Sequence, residues 1–208
     1  MLAPGSVRRV GPFGALLVVF AVAALFVHGD LRAVAAGLAV VVAALLAFLL
    51  VFFRDPERTP GDGVVSAADG RVRAVERAGE TWVVSVFLGV TDVHVNRLPL
   101  DATVEAIDGS GAGFRPAYRE DAGSNVQRRY RLRTEIGPVD VVQITGIVAR
   151  RLVSFVRPGF VGRKGERFGM IVLGSRTDVV LPAARTVPTV KVGDRVQGGR
   201  STIARIVP

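Results

Sequence analysis

Three residues of this chain have side chains suited to nucleophilic chemistry. Ser175 follows Gly174 at the end of Lys164-Gly-Glu-Arg-Phe-Gly-Met-Ile-Val-Leu-Gly-Ser175, His94 stands in Asp92-Val-His-Val-Asn-Arg-Leu-Pro99, and Asp69 stands in Ser66-Ala-Ala-Asp-Gly70. A serine hydroxyl is a weak nucleophile: it needs a base within hydrogen-bond reach, and the base needs an orienting group. Imidazole titrates near neutrality, and His94 is the one histidine beyond the apolar N-terminal segment, the other being His28. A carboxylate such as Asp69 suits the third role. Each residue alone also has a plainer reading: an Asx-turn for Asp69, a satisfied strand histidine for His94, and a tight turn for Gly174-Ser175.

The elements that must position these residues read as strands. Arg71 to Arg77 and Arg129 to Thr134 alternate with period two, which predicts half-buried strands with a basic outer face. Thr81 to Leu88 and Val139 to Ile144 are apolar and β-branched, as central strands are. Met170 to Leu173 and Asp178 to Leu181 predict two more strands, with Gly174-Ser175 as the turn between them. Gly109 to Gly113 reads as a flexible loop, and Tyr118 to Val126 as a polar excursion. No helix of ordinary length is evident after residue 54. Val190-Lys-Val-Gly-Asp-Arg-Val-Gln-Gly-Gly199 looks like a strand-turn of biotinyl and lipoyl carrier domains, yet no Met-Lys-Met or Asp-Lys-Ala attachment motif is present. That turn therefore points to barrel-sandwich architecture rather than to a carrier. The expected fold is mainly β, a barrel-sandwich-like domain over 54–208, behind a membrane helical hairpin over 1–53.

The hairpin reading rests on two apolar runs, Pro12 to Val27 and Ala33 to Phe53, separated by His28-Gly-Asp-Leu-Arg32. As helices they would span about 24 Å and about 31 Å, and a bilayer core is about 30 Å thick. A signal peptide with Arg8 and Arg9 as its basic region is the rival, but a full-length apolar helix follows after only a short loop. Arg8 and Arg9 before the hairpin, and Arg54 and Arg58 after it, outweigh Arg32 in the loop. Both ends are thus expected in the cytoplasm, with Arg54 and Arg58 meeting headgroup phosphates. The localisation expected is the cell membrane, with the β domain on its cytoplasmic side.

Composition excludes several classes. There is no cysteine, so disulfides and thiolate chemistry are out, and two histidines cannot build a multi-histidine zinc site; no metal is expected. The net charge is +9, and most of it lies beyond Phe53. Such a balance suits an anionic partner. With aromatics at 7% and no basic-aromatic interleaving, a membrane surface fits better than nucleic acid, which is not expected as a partner.

Taken together, the motifs resemble the phosphatidylserine decarboxylases, in particular the short archaeal and bacterial form that includes archaetidylserine decarboxylases. The resemblance is carried by Phe52-Phe-Arg-Asp-Pro-Glu-Arg58, Ala68-Asp-Gly70, Asp92-Val-His-Val-Asn-Arg97, Gln143-Ile-Thr-Gly-Ile-Val-Ala-Arg-Arg151, and Lys164-Gly-Glu-Arg-Phe-Gly169 leading to Leu173-Gly-Ser175. It implies a proenzyme in which Ser175 Oγ attacks the Gly174 carbonyl and converts the peptide bond to an ester. β-Elimination then leaves dehydroalanine at 175, and hydrolysis yields a pyruvoyl group at the head of fragment 175–208, with fragment 1–174 as its partner. The pyruvoyl cofactor derived from Ser175 would form a Schiff base with the serine amine of a phospholipid substrate and act as electron sink as CO₂ leaves. The product would be phosphatidylethanolamine, in phospholipid biosynthesis. Within this scheme Ser175, His94 and Asp69 are the catalytic residues, Gly174 and Ser175 the cleavage site, and Arg150 and Arg151 the candidate partners of the substrate phosphate.

The chain departs from the longer bacterial and mitochondrial pattern at two places. Arg97 stands where those members carry a second histidine, and Arg176 where they carry Ser or Thr after the catalytic serine. His94 then serves both processing and decarboxylation, or Arg97 assists by charge. Two other readings stand beside this one: an archaetidylserine decarboxylase, and a non-enzymatic membrane-anchored β-barrel module that binds lipid. The sequence leaves a homo-oligomer open.

Overall fold

The β-branched runs form antiparallel sheets, and the two apolar runs form helices. The computed structural model describes residues 1–113, 125–146, 151–172 and 175–208. The chain divides into two compact units, Met1–Pro56 and Glu57–Pro208.

In the first unit, α1 (Val7–Phe26) and α2 (Asp30–Phe52) are long and apolar enough to cross a bilayer by length and composition. α1 begins at Val7, ahead of the apolar run, and takes Arg8 and Arg9 into its first turns. Its length is thereby about 30 Å rather than the 24 Å expected from the run alone. Large apolar side chains stay on the surface along both helices, among them Val19, Leu25, Phe26, Val40 and Val41. Such a surface suits surroundings as apolar as itself. Arg54 caps the end of α2 by donating from Nη1 to the Val51 carbonyl at 2.7 Å.

The second unit holds fourteen strands in three open sheets among the described residues. The largest runs β13 (Arg195–Val196), β2 (Gly70–Ala78), β3 (Thr81–Leu88), β11 (Ser175–Pro182), β7 (Gly137–Thr145), β6 (Gln127–Thr134), β5 (Ala102–Ser110), β9 (Val161–Gly162). β10 (Arg167–Val172) lies between β4 (Val95–Arg97) and β8 (Arg151–Ser154) in a second sheet. β14 (Thr202–Ile206) lies between β1 (Val64–Val65) and β12 (Thr186–Pro188) in a third. The named strands all pair antiparallel, and no α-helix occurs in the described part of this unit.

Side chains from all three sheets meet in one apolar cluster, which includes Val64 and Ile203, Phe168, and Val84, Leu88, Tyr130, Leu132, Val179 and Leu181. The alternation expected for 129–134 is present: Tyr130 and Leu132 are buried, while Arg129, Arg131 and Arg133 face out. That outer face is not free positive charge. Arg129 pairs with Asp140 at 2.7 Å, Arg131 with Asp108 at 3.1 Å and Arg133 with Glu105 at 3.0 Å, acids supplied by the two flanking strands. The loop expected at 109–113 begins later than expected, since Gly109 and Ser110 still pair with β6. Most of the excursion at 118–126 lies outside the described residues.

β11 is the strand on which the core depends. Leu181 is fully buried, whereas Val187 on β12 is 43% exposed. Leu181→Ala is expected to cost about 2–5 kcal/mol of stability, through lost transfer energy and the cavity left behind. Val187→Ala should stay within about 0.5 kcal/mol. Urea unfolding of the detergent-solubilised protein checks both.

Candidate active site

Ser175 lies not in a turn but at the first position of β11, where it pairs with Leu88 on β3 and Thr145 on β7. β10, which ends at Val172, belongs to a different sheet from β11. Gly174 itself lies outside the described residues. Along β11, Ser175, Thr177, Val179 and Leu181 are buried on the inner face, while Arg176 and Asp178 share the other and pair at 2.8 Å. Ser175 Oγ is buried and has no hydrogen-bond partner among the described residues. A hydroxyl removed from water without a partner costs free energy, which structural serines avoid.

His94 precedes β4 and is only 1% exposed; Val93, Val95, Asn96 and Arg97 are buried as well, so this segment has no solvent face. Its backbone is tied to β10, the His94 carbonyl accepting the Ile171 N–H at 3.1 Å. Its ring Nδ1 lies 2.8 Å from the Asp92 carbonyl. A carbonyl only accepts, so Nδ1 carries the proton in that bond, and in the neutral ring Nε2 holds the basic lone pair.

Asp69 is differently engaged. Both of its carboxylate oxygens accept from Arg58, Oδ2 at 2.7 Å, and Oδ1 also accepts the Gly198 N–H at 2.8 Å. Arg58 donates further to the Gly198 carbonyl at 2.6 Å. The group against His94 Nδ1 is thus the Asp92 carbonyl, and the Asp69 carboxylate serves Arg58 and the 198–199 turn. Arg58, expected at lipid headgroups, is instead nearly buried, its side chain 7% exposed in this bidentate pair. Arg97 is buried too, donating to the Gly165 carbonyl at 3.0 Å beneath Gly199, where a Cβ would stand 2.6 Å from Arg97 Cδ. Glu57, one residue before Arg58, accepts from Arg167 on β10 at 2.7 Å. This bond holds the Glu57 carboxyl below its ordinary value, so the pair's contribution is present at neutral pH and lost as acid protonates Glu57 through that lowered value. Glu57 being exposed, the contribution is small.

Arg151 opens β8, exposed, with its backbone paired to Val172 at the end of β10. It lines a cavity of about 440 Å³ with Arg128, Gln127, Val126, Leu152 and Gly109 to Gly111. Val126, on the same wall, accepts from both the N–H and the hydroxyl of Thr145, the residue paired with Ser175. The cavity wall is thus linked, through Arg151 and through Val126 and Thr145, to the strands that carry Val172 and Ser175, neither of which lines the cavity itself. Arg150 lies outside the described residues. Arg128, in the cavity wall, and Arg58 were not legible as site residues from spacing, because each acts across long sequence separations.

The profile of the phosphatidylserine decarboxylase family matches residues 45–204, from within α2 to β14. The chain belongs to the phosphatidylserine decarboxylase family. A phosphatidylserine decarboxylase proenzyme of Symbiobacterium thermophilum is 43% identical, with 99% of this chain and 98% of that protein aligned. Its counterpart of the same name in Carboxydothermus hydrogenoformans is 40% identical over 81% of this chain and 84% of its own. A Halobacterium salinarum protein provisionally named archaetidylserine decarboxylase proenzyme is 41% identical over 80% and 85%. Every candidate residue from Asp69 to Ser175 falls inside the family match.

The Arg58–Asp69 pair can be tested by itself. Arg58→Met leaves a buried carboxylate without its cation and is expected to cost about 3–5 kcal/mol. Combining it with Asp69→Asn, which keeps an acceptor for the Gly198 N–H, should recover most of that loss. Denaturant melts of the two single variants and the double variant measure the coupling.

Proposed function

We propose that this chain is a self-processing, pyruvoyl-dependent decarboxylase that converts phosphatidylserine to phosphatidylethanolamine and CO₂. The observation that carries the proposal is Ser175 itself: a buried hydroxyl, unpartnered among the described residues, at the head of a strand, in a chain 43% identical along its length to a phosphatidylserine decarboxylase proenzyme. In processing, Ser175 Oγ adds to the Gly174 carbonyl carbon and gives its proton to a base; the C–N bond breaks, the nitrogen takes up a proton, and an ester remains. Loss of the Ser175 Cα proton then expels the Gly174 carboxylate and leaves dehydroalanine, and water replaces its nitrogen, released as ammonia, to give the pyruvoyl carbonyl. His94 Nε2 is the base, with the ring held by the Asp92 carbonyl. Asp69 supports the site through Arg58 and Gly198. The position at 175 fits the resulting group, because β11 is anchored along both edges and keeps its first residue in place after the cut. A pyruvoyl group there supplies a carbonyl for the substrate amine and an electron sink for decarboxylation.

Cleavage between Gly174 and Ser175 would give fragments 1–174 and 175–208 that stay together, since β11 is paired on both edges and β14 pairs with β1. The cavity lined by Arg151 and Arg128 is where the headgroup would sit, its phosphate facing those two side chains, with Arg150 as a further candidate from the sequence. The reacting groups are the same in archaetidylserine, which is therefore an alternative substrate.

For the first unit, we propose a membrane hairpin with both ends on the cytoplasmic side. Its support is the exposed apolar surface of α1 and α2 and the placing of Arg8, Arg9 and Arg54 at their outer ends. A sandwich-like packing of the β domain is supported by the one apolar cluster to which all three sheets contribute.

Intact mass and a denaturing gel are expected to show two chains cut at 174/175 that elute together under native conditions. Ser175→Ala should remain one chain and release no CO₂ from phosphatidylserine. A wild-type protein that stays uncut, with no carbonyl reactive toward amines, would sink the reading in favour of a lipid-binding module. Arg151→Ala is expected to lower kcat/KM at least about tenfold, mostly through KM, while leaving self-cleavage intact; assays with phosphatidylserine and archaetidylserine vesicles measure this and the lipid preference together.

A further inference from the structure

A group of buried amide and hydroxyl side chains crosses the core beside the candidate residues, and nothing in the reaction outlined above uses it. Gln143 on β7 donates from Nε2 to Asn96 Oδ1 on β4 at 2.6 Å. Asn96 Nδ2 donates to the Ala67 carbonyl at 3.3 Å and to Thr177 Oγ1 on β11 at 3.4 Å. Tyr130 on β6 donates its hydroxyl to Gln143 Oε1 at 3.4 Å. Asn96, Gln143, Thr177 and Tyr130 all have 0% exposure. Gly169 on β10 leaves the room they need: a Cβ there would lie 3.0 Å from Gln143 Nε2 and 3.1 Å from the Tyr130 hydroxyl.

The placement of this network is specific. Asn96 is two residues after His94, Thr177 two residues after Ser175, and Ala67 two residues before Asp69. On an extended strand, residues two apart share a face, and Ser175 and Thr177 do so on the inner face of β11. The Ala67 carbonyl accepts from the Asn96 side chain and also from the Arg97 N–H at 2.9 Å. The network thus joins, side chain to side chain, the segment carrying His94 to the strand carrying Ser175, and both to the turn carrying Asp69. Two amides in an apolar core are costly to desolvate, and apolar side chains of similar volume would fill the space without that cost. Burial also pushes the Tyr130 phenol up from its ordinary value, so it stays protonated and remains a donor.

We propose that Asn96, Gln143 and Thr177 form the positioning network for self-cleavage, setting the spacing and register between the His94 segment and the Ser175 strand. The proposal rests on the self-processing reading above. None of the three touches the reacting bond; they act by holding Ser175 Oγ where its base and the Gly174 carbonyl can be reached. A displacement of about 1 Å in such an arrangement costs on the order of a hundredfold in rate.

The test follows cleavage of the freshly translated full-length chain, in lipid nanodiscs, over a range of pH. Thr177→Val keeps the shape and removes the hydroxyl; Thr177→Ser keeps the hydroxyl; Gln143→Met removes both amide contacts. Thr177→Val and Gln143→Met are expected to slow cleavage at least tenfold, with the pH midpoint unchanged and the melting temperature within a few degrees of wild type. Thr177→Ser should restore the rate to within about threefold. Wild-type rates in both Thr177→Val and Gln143→Met, alongside normal wild-type cleavage, would overturn the positioning role alone. So would loss of cleavage that tracks loss of folding and is not rescued by Thr177→Ser, since that marks a stability element. A wild-type chain that never cuts at 174/175 overturns the functional reading and the positioning role with it.

Discussion

The strand that begins at Ser175 is held along both edges, and the rest of the β domain depends on that constraint. β11 pairs with β3 from Ser175 to Pro182 and with β7 from Ser175 to Val180. A one-residue slip in either ladder would turn Ser175 and Thr177 to the outer face and bring Arg176 and Asp178 into the core. Register is therefore fixed by burial as well as by hydrogen bonds. A chain that breaks its own backbone just ahead of such a strand loses one covalent link and keeps the ladders on both sides.

Buried polar groups add a second tie between the parts of the chain on either side of 174/175. Arg58 and Asp69 grip the Gly198 peptide from both its carbonyl and its N–H. The Ser66 carbonyl accepts the Gly199 N–H at 2.7 Å, and Arg97 packs against Gly199. Gly199 has φ +75°, a conformation that suits glycine, and its missing side chain makes space for Arg97. These contacts also change how the net charge should be understood. Arg58 and Arg97 are spent in the interior and Arg129, Arg131 and Arg133 are paired, so +9 is not a measure of free positive surface.

Local features of this architecture were legible in the sequence, and long-range ones were not. Thr81 to Leu88 is a strand over those same residues because a β-branched apolar run suits a central position whatever its neighbours. The alternation at 129–134 gave its buried and outer faces directly, but not the acids on β5 and β7 that neutralise it. The start of α1 was placed late because Arg8 and Arg9 interrupt the apolar run without interrupting the helix. Ser175 read as a turn residue from its pairing with glycine, whereas cross-strand bonds to both neighbours place it in β11. The partners of Asp69 were out of reach for the same reason: Gly198 is distant in the chain, and no local pattern couples it to an Asp-Gly turn. The motif Phe52-Phe-Arg-Asp-Pro-Glu-Arg58 carried the resemblance, but the physical tasks of its last two residues, Glu57 on Arg167 and Arg58 on Asp69, became visible only in the fold.

That Asp69 is bound to Arg58 bears on how a serine, a histidine and an aspartate divide their work here. In a nucleophile–base–carboxylate triad the carboxylate both orients the imidazole and stabilises its charged form. In this chain the Asp92 carbonyl orients His94 and fixes its tautomer. The Asp69 charge is already matched by a guanidinium at hydrogen-bond distance. The accuracy with which Ser175 is presented to its base counts as well, and we assign that accuracy to the buried side chains between the two strands.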